Sequence, residues 1–224
     1  MFKAILYKEW IKIRWTVLAI AGIIIALALY SSSVINYYIE FQGAFKNWLY
    51  VIGKGLLLKN FAMMRYIPMI SALAFALLQF VPEMAKNRMR LSYHLPLNEK
   101  KLLFNMTSIG FLFLIAECLL MFVSVWIITN SYYPVEVTKA MLFTTVPWIM
   151  GGVALYYLTA MIVLEPSWLY RIIFGIVTLG FVGLYFETGN YGQFEISWLK
   201  YLILIVFLPL TVLFPGYRFR HGSK

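Results

Sequence analysis

The chain has 224 residues, 62% of them hydrophobic and 12% charged, at a mean hydropathy of +0.81, where a soluble domain carries roughly 25% charged residues. This composition excludes a large soluble catalytic domain and leaves room for about six membrane spans of about 20 residues each. Nineteen Lys and Arg face nine acidic residues, all of them Glu, for a net charge of +10. Paired-aspartate metal chemistry is therefore excluded, and the positive excess points to anionic lipid headgroups rather than nucleic acid.

On a helical wheel, Phe2, Leu6, Trp10 and Ile13 share one face, with Lys3, Lys8, Lys12 and Arg14 distributed around the remainder. Residues 1–15 are thus expected to form a basic amphipathic helix on an anionic leaflet. Glu9 falls among the apolar side chains, and a carboxylate there needs a basic partner, Lys12 or Lys8. A first span runs from Thr16 to Ile35. Ala26, Leu27 and Ala28 mimic a signal-peptide cleavage site, but the apolar run continues through Tyr30 and Val34, so an uncleaved span is expected.

In the segment 36–63, Phe45, Leu49, Ile52 and Leu56 recur at helical spacing, with Lys46, Asn47 and Lys54 on other faces. This suits a short amphipathic helix in the outer interface. Gly53 and Gly55 leave a re-entrant hairpin open as the alternative. Five further spans follow: Tyr66 to Met84, Leu102 to Ile128, Ala140 to Leu164, Trp168 to Phe186 and Trp198 to Phe214, the last with a kink expected at Pro209. With the N-terminus inside, thirteen of the nineteen Lys and Arg fall on the cytoplasmic side, which places both termini in the cytoplasm.

The inventory of reactive groups is sparse. His94 and His221 have no Cys, Glu or second His at metal-ligand spacing. Gly53-Lys54-Gly55 lacks the spacing of a phosphate-binding loop, and no G-x-S-x-G occurs. The chain is expected to be no enzyme and to bind no metal or cofactor. Its lone Cys118 can form no internal disulfide. Glu117, in the middle of the third span, is an intramembrane carboxylate. It either joins helices by hydrogen bonding or handles substrate or protons.

Between spans two and three, the stretch from Pro82 to Lys101 mixes basic and apolar residues. Asn87, Arg90, Leu91 and His94 share one side of a helix that Pro96 stops, and Asn98 suits the N-cap of the next span. Met89, Leu91, Tyr93 and Leu95 in a cytoplasmic loop suit a partner surface, the alternative being a basic loop held on lipid headgroups.

With Lys8-Glu9 in a basic amphipathic start, six spans, and a loop running from Glu83 to Leu95-Pro96, the chain resembles the permease subunits of type-2 ABC exporters over nearly its whole length. It departs from that family at Asn87, where a glycine is common, and at Ser92-Tyr93, where leucines are. The resemblance implies an all-α, six-helix permease domain covering 1–224, with an N-terminal elbow helix at 1–15 and a cytoplasmic coupling helix within 83–96. It implies that Glu83, Arg88, Arg90, Leu91, Tyr93, His94 and Leu95 lie at or near the contact with a separate ATPase subunit. That subunit would hold the ATP and Mg, and a second permease subunit would complete the path. A bacterial cytoplasmic membrane location follows from the same likeness. The alternative is a non-transporting assembly or channel subunit, and more remotely a membrane-embedded enzyme. The substrate is not encoded in any motif.

Overall fold

A computed structural model describes residues 2–48, 61–85, 99–186, 202–203, 205–215 and 218. The described residues are helical, with no strand among them. The long helices are α1 (Phe2–Gln42), α2 (Ile67–Ala85), α3 (Glu99–Tyr132), α4 (Val135–Leu164) and α5 (Trp168–Phe186), and a short α6 (Leu208–Thr211) lies near the C-terminus. Five are long and apolar enough to cross a membrane. Because a helix satisfies its backbone groups internally, such segments are stable in hydrocarbon. The chain therefore has the makings of an all-α membrane protein.

The expected elbow is not set off from the first span. Residues 2–42 form one helix of 41 residues, roughly 60 Å long and about twice the thickness of a hydrocarbon core. No Gly or Pro occurs before Gly22, so nothing in the backbone stops the amphipathic turns from continuing into the apolar ones. The stop comes at Gly43, whose φ of +79° is open to glycine at little cost. Its N–H closes on the carbonyl of Ile39 at 2.9 Å, as in a left-handed helix cap.

The face expected to lie on lipid is instead turned partly onto protein. Ile13 is fully buried, and Trp10 stacks on Phe113 of α3 with ring centroids 5.4 Å apart. At the other end Ser32 Oγ and Tyr132 Oη are 3.0 Å apart, so α1 runs parallel to α3 along much of its length. Within 44–48, Phe45 is exposed, Asn47 is buried, and Trp48 Nε1 donates to the Tyr132 carbonyl. The continuation 49–60, on which the choice between interfacial helix and hairpin depends, lies outside the described residues.

Helix α4 is the centre of the bundle. Of its most apolar stretch 78% is buried, against 22% for α1 and 17% for α5, so α1 and α5 keep broad apolar faces toward the surroundings. The α4 helix packs on α2 above all, and also on α5, α3 and α6. Close approach to α2 depends on Gly152, where a Cβ would stand 2.6 Å from Pro68 Cβ and 2.8 Å from the Pro68 carbonyl oxygen. Of the expected sixth span only 202–203 and 205–214 are described. There Pro209 is the second residue of α6, and Phe207 before the helix keeps right-handed helical angles of φ −86° and ψ −13°, so the helical path is irregular next to the proline.

Candidate functional site

At one end of the bundle, helical periodicity brings Lys8, Glu9 and Lys12 to the same side of α1, facing the last turns of α2. Lys12 Nζ donates to Glu83 Oε1 at 2.7 Å, to both carboxylate oxygens of Glu9 at 3.0 and 3.2 Å, and lies 3.4 Å from the Gln79 carbonyl. Lys8 Nζ reaches the same Glu83 oxygen at 2.8 Å. Glu9 and Glu83 are fully buried, whereas the Lys8 side chain is 44% exposed. Two lysines against two glutamates make the cluster neutral overall. A carboxylate buried among apolar side chains costs several kcal/mol unless it is paired and hydrogen-bonded in this way.

The cluster continues into the core through Gln79. Its Nε2 donates to the Met106 carbonyl of α3 at 2.6 Å, and its Oε1 accepts from the Tyr156 hydroxyl of α4 at 2.7 Å. That hydroxyl also stands 3.1 Å from the Thr107 carbonyl. Room for the pair comes from Gly110, where a Cβ would fall on Tyr156 Oη and Gln79 Oε1. A continuous set of polar contacts therefore joins α1, α2, α3 and α4 below the point where α2 leads into the α2–α3 connection. Low local dielectric strengthens each bond and makes each loss expensive.

Glu83, expected at or near the contact with an ATPase subunit, is turned inward under Lys8 and Lys12. Its Oε1 takes both lysines, and its Oε2 is buried with no hydrogen-bond partner among the described residues. The other expected contact residues, Arg88, Arg90, Leu91, Tyr93, His94 and Leu95, lie outside the described residues. Glu117 stands apart from the cluster, two helical turns beyond Gly110 on α3. It is buried, and its Oε2 has no partner among the described residues. Glu9 pairs with Lys12 as its sequence position led one to expect.

A second ionic contact closes the same end of the bundle. Glu165, between α4 and α5, is fully buried and receives Arg218 Nη1 on Oε1 at 2.7 Å, while its carbonyl accepts from Arg171 Nε at 2.7 Å. The Arg218 guanidinium also lies 4.2 Å over the Tyr170 ring. Sequence reading found neither this pair nor the partners of Gln79. Glu165 and Arg218 are 53 positions apart, and only the juxtaposition of the α4–α5 turn with the C-terminal segment reveals them.

No protein-family model, curated protein or solved structure matches the chain.

Proposed function

We propose that this chain is the membrane-spanning permease subunit of a type-2 ATP-binding cassette exporter, paired with a second permease subunit and driven by ATP and Mg held on a separate cytoplasmic ATPase. On this reading it resides in a bacterial cytoplasmic membrane with both termini inside. The observation that supports it is the buried ionic cluster at the base of the α2–α3 connection, the segment whose basic and apolar residues resemble a coupling loop. A push on that segment would reach Glu83 first. Through Lys12 and Lys8 it would move α1, and through Gln79 and Tyr156 it would move α4, the central helix. Packed polar contacts of this kind transmit a displacement because they shift as units rather than deform smoothly. In this scheme Glu83 acts behind the contact, and Arg88, Arg90, Leu91, Tyr93, His94 and Leu95 form it.

The test is purification of the tagged chain from membranes of its own host, followed by assay of the preparation for ATP hydrolysis. Hydrolysis that co-purifies with the chain and is lost in both Leu91→Glu and Tyr93→Asp is the expected result, since a charge in a desolvated contact costs several kcal/mol. A preparation without hydrolysis, or variants that retain it in full, removes the assignment.

A further inference from the structure

Between the ends of α2, α4 and α5, beside Glu165, lies a pocket of about 380 Å³ lined by Val81, Met84, Ala85, Ile162, Val163 and Arg171. We infer that this pocket holds an anionic phospholipid, the root of an acyl chain lying on the five apolar side chains and the phosphate on Arg171. The inference rests on the membrane character of the chain and is independent of its assignment as a permease.

Among the described residues the lining has the chemistry of such a lipid: an apolar floor with one cation, Arg171, at its edge. Its position is also that of a headgroup boundary, because the apolar runs of three helices end there and the buried carboxylates Glu83 and Glu165 begin. Trp168, the first residue of α5, is 75% exposed at this level, and tryptophan concentrates where hydrocarbon meets water. Arg171 is held in advance. Its Nε donates to the Glu165 carbonyl, and its guanidinium carbon stands 5.2 Å from the centre of the Trp168 ring. That bond uses one of the five N–H donors of a guanidinium, and the planar group suits a phosphate in bidentate geometry. Fixing the side chain before binding removes part of the ordering cost.

Other occupants fit less well. A helix from a second copy of the chain, about 10–12 Å across with its side chains, could seat only a side chain or two in about 380 Å³. A soluble acidic peptide would leave five apolar side chains without a matching surface. Charge complementarity favours an anionic lipid over a zwitterionic one, since most of the Lys and Arg of the chain are assigned to this side.

The experiment uses the full chain, purified in detergent and stripped of lipid, titrated with dioctanoyl phosphatidylglycerol and separately with dioctanoyl phosphatidylcholine. The readout is the ratio of the two affinities within each protein, which a change in overall stability does not move. Wild type should bind the glycerol lipid saturably and in preference. Arg171→Gln should reduce that preference about fivefold, the effect of one basic residue near a membrane surface, and Arg171→Lys should retain most of it. Val81→Trp, at a position exposed enough to accept a larger side chain, should melt like wild type without lipid and bind neither lipid. Equal affinities in wild type, absence of saturation, or an unchanged ratio in Arg171→Gln overturns the proposal. So does unaltered binding by Val81→Trp. If Val81→Trp fails to fold, the two Arg171 variants decide.

Discussion

Lys12 Nζ lies 2.7 Å from Oε1 of Glu83, a residue 71 positions further along the chain, and the same ammonium holds Glu9 one turn before it. One cation therefore pairs with two fully buried carboxylates, and Lys8, nearly half exposed, adds a second contact to Glu83. The two lysines are accordingly unequal. Lys12→Met should destabilise the protein by about 3–5 kcal/mol, the usual cost of leaving a buried charge unpaired. Lys8→Met should cost less than Lys12→Met, because the Lys8 ammonium is nearly half exposed and Lys12 still holds the buried Glu83 carboxylate. Equilibrium unfolding in mixed detergent micelles measures both, and a Lys8 variant as unstable as the Lys12 variant would show that the lysines share the load.

Two glycines sort the helix contacts in a similar way. Gly110→Ala would press a methyl group onto the Tyr156 hydroxyl and Gln79, and Gly152→Ala would press one onto Pro68. Each should cost about 1–3 kcal/mol by overpacking. At Gly175, Gly180 and Gly183 of α5, by contrast, a Cβ meets nothing within 4 Å, so alanine there should leave the thermal stability of the single chain unchanged. If a second permease subunit packs on α5, as small-residue faces allow, those same variants should shift the dimer population in a crosslinking assay. A drop in single-chain stability at Gly175→Ala would mean that α5 is more deeply packed than described.

How much of this was legible beforehand depends on the range of the interaction. Span positions were readable because hydropathy is a local property: Trp168 to Phe186 coincides with α5, and Tyr66 to Met84 differs from α2 by one residue at each end. Glu9 with Lys12 was readable because residues three apart share a helix face. The continuity of α1 was not, because a change from amphipathic to wholly apolar pattern looks like a boundary although no backbone feature enforces one. Glu83 with Lys12, Gln79 with Tyr156, and Glu165 with Arg218 were out of reach. Each depends on which helices become neighbours, and a lone Gln or Glu in an apolar run carries no mark of its partner.

The orientation of the chain is open to direct labelling, and its single cysteine makes the experiment clean. Cys118 is buried at 1% exposure, so it should stay silent toward an impermeant thiol reagent without being removed. Cysteines introduced at Lys54, Lys139 and Gly189 should react from outside intact cells, and those at Arg90 and Arg220 only after the membrane is opened. Labelling of Arg90→Cys from outside would invert the orientation drawn from the charge distribution.

Disruption of the Glu165 and Arg218 pair should detach the C-terminal segment while leaving the bundle folded. Arg218→Gln removes a charged hydrogen bond to a fully buried carboxylate, which should cost about 1.5–3 kcal/mol. Glu165→Gln keeps an acceptor for Arg218 and should cost less. Protease added to the purified protein should cut near the C-terminus faster in Arg218→Gln than in wild type. Equal cutting rates would make the contact incidental.

Among the described residues Glu117 is the remaining buried acid, and its Oε2 has no partner there. A carboxyl that joined helices through both oxygens would show bonds there, and its removal would weaken the bundle. Because an unsatisfied buried polar atom carries a desolvation penalty of about 1–3 kcal/mol, Glu117→Leu should be at least as stable as wild type, and Glu117→Gln should fold as well. The two variants part company in transport. Under the permease reading, a residue kept in the bundle at a cost to stability is kept for what passes by it. Glu117→Gln should then alter transport or its dependence on pH, and Glu117→Leu should assemble and fail to transport. Melting temperature and transport measured on both variants decide the matter. Normal transport by Glu117→Gln at every pH, together with an unstable Glu117→Leu, would assign the residue to packing and remove it from the path.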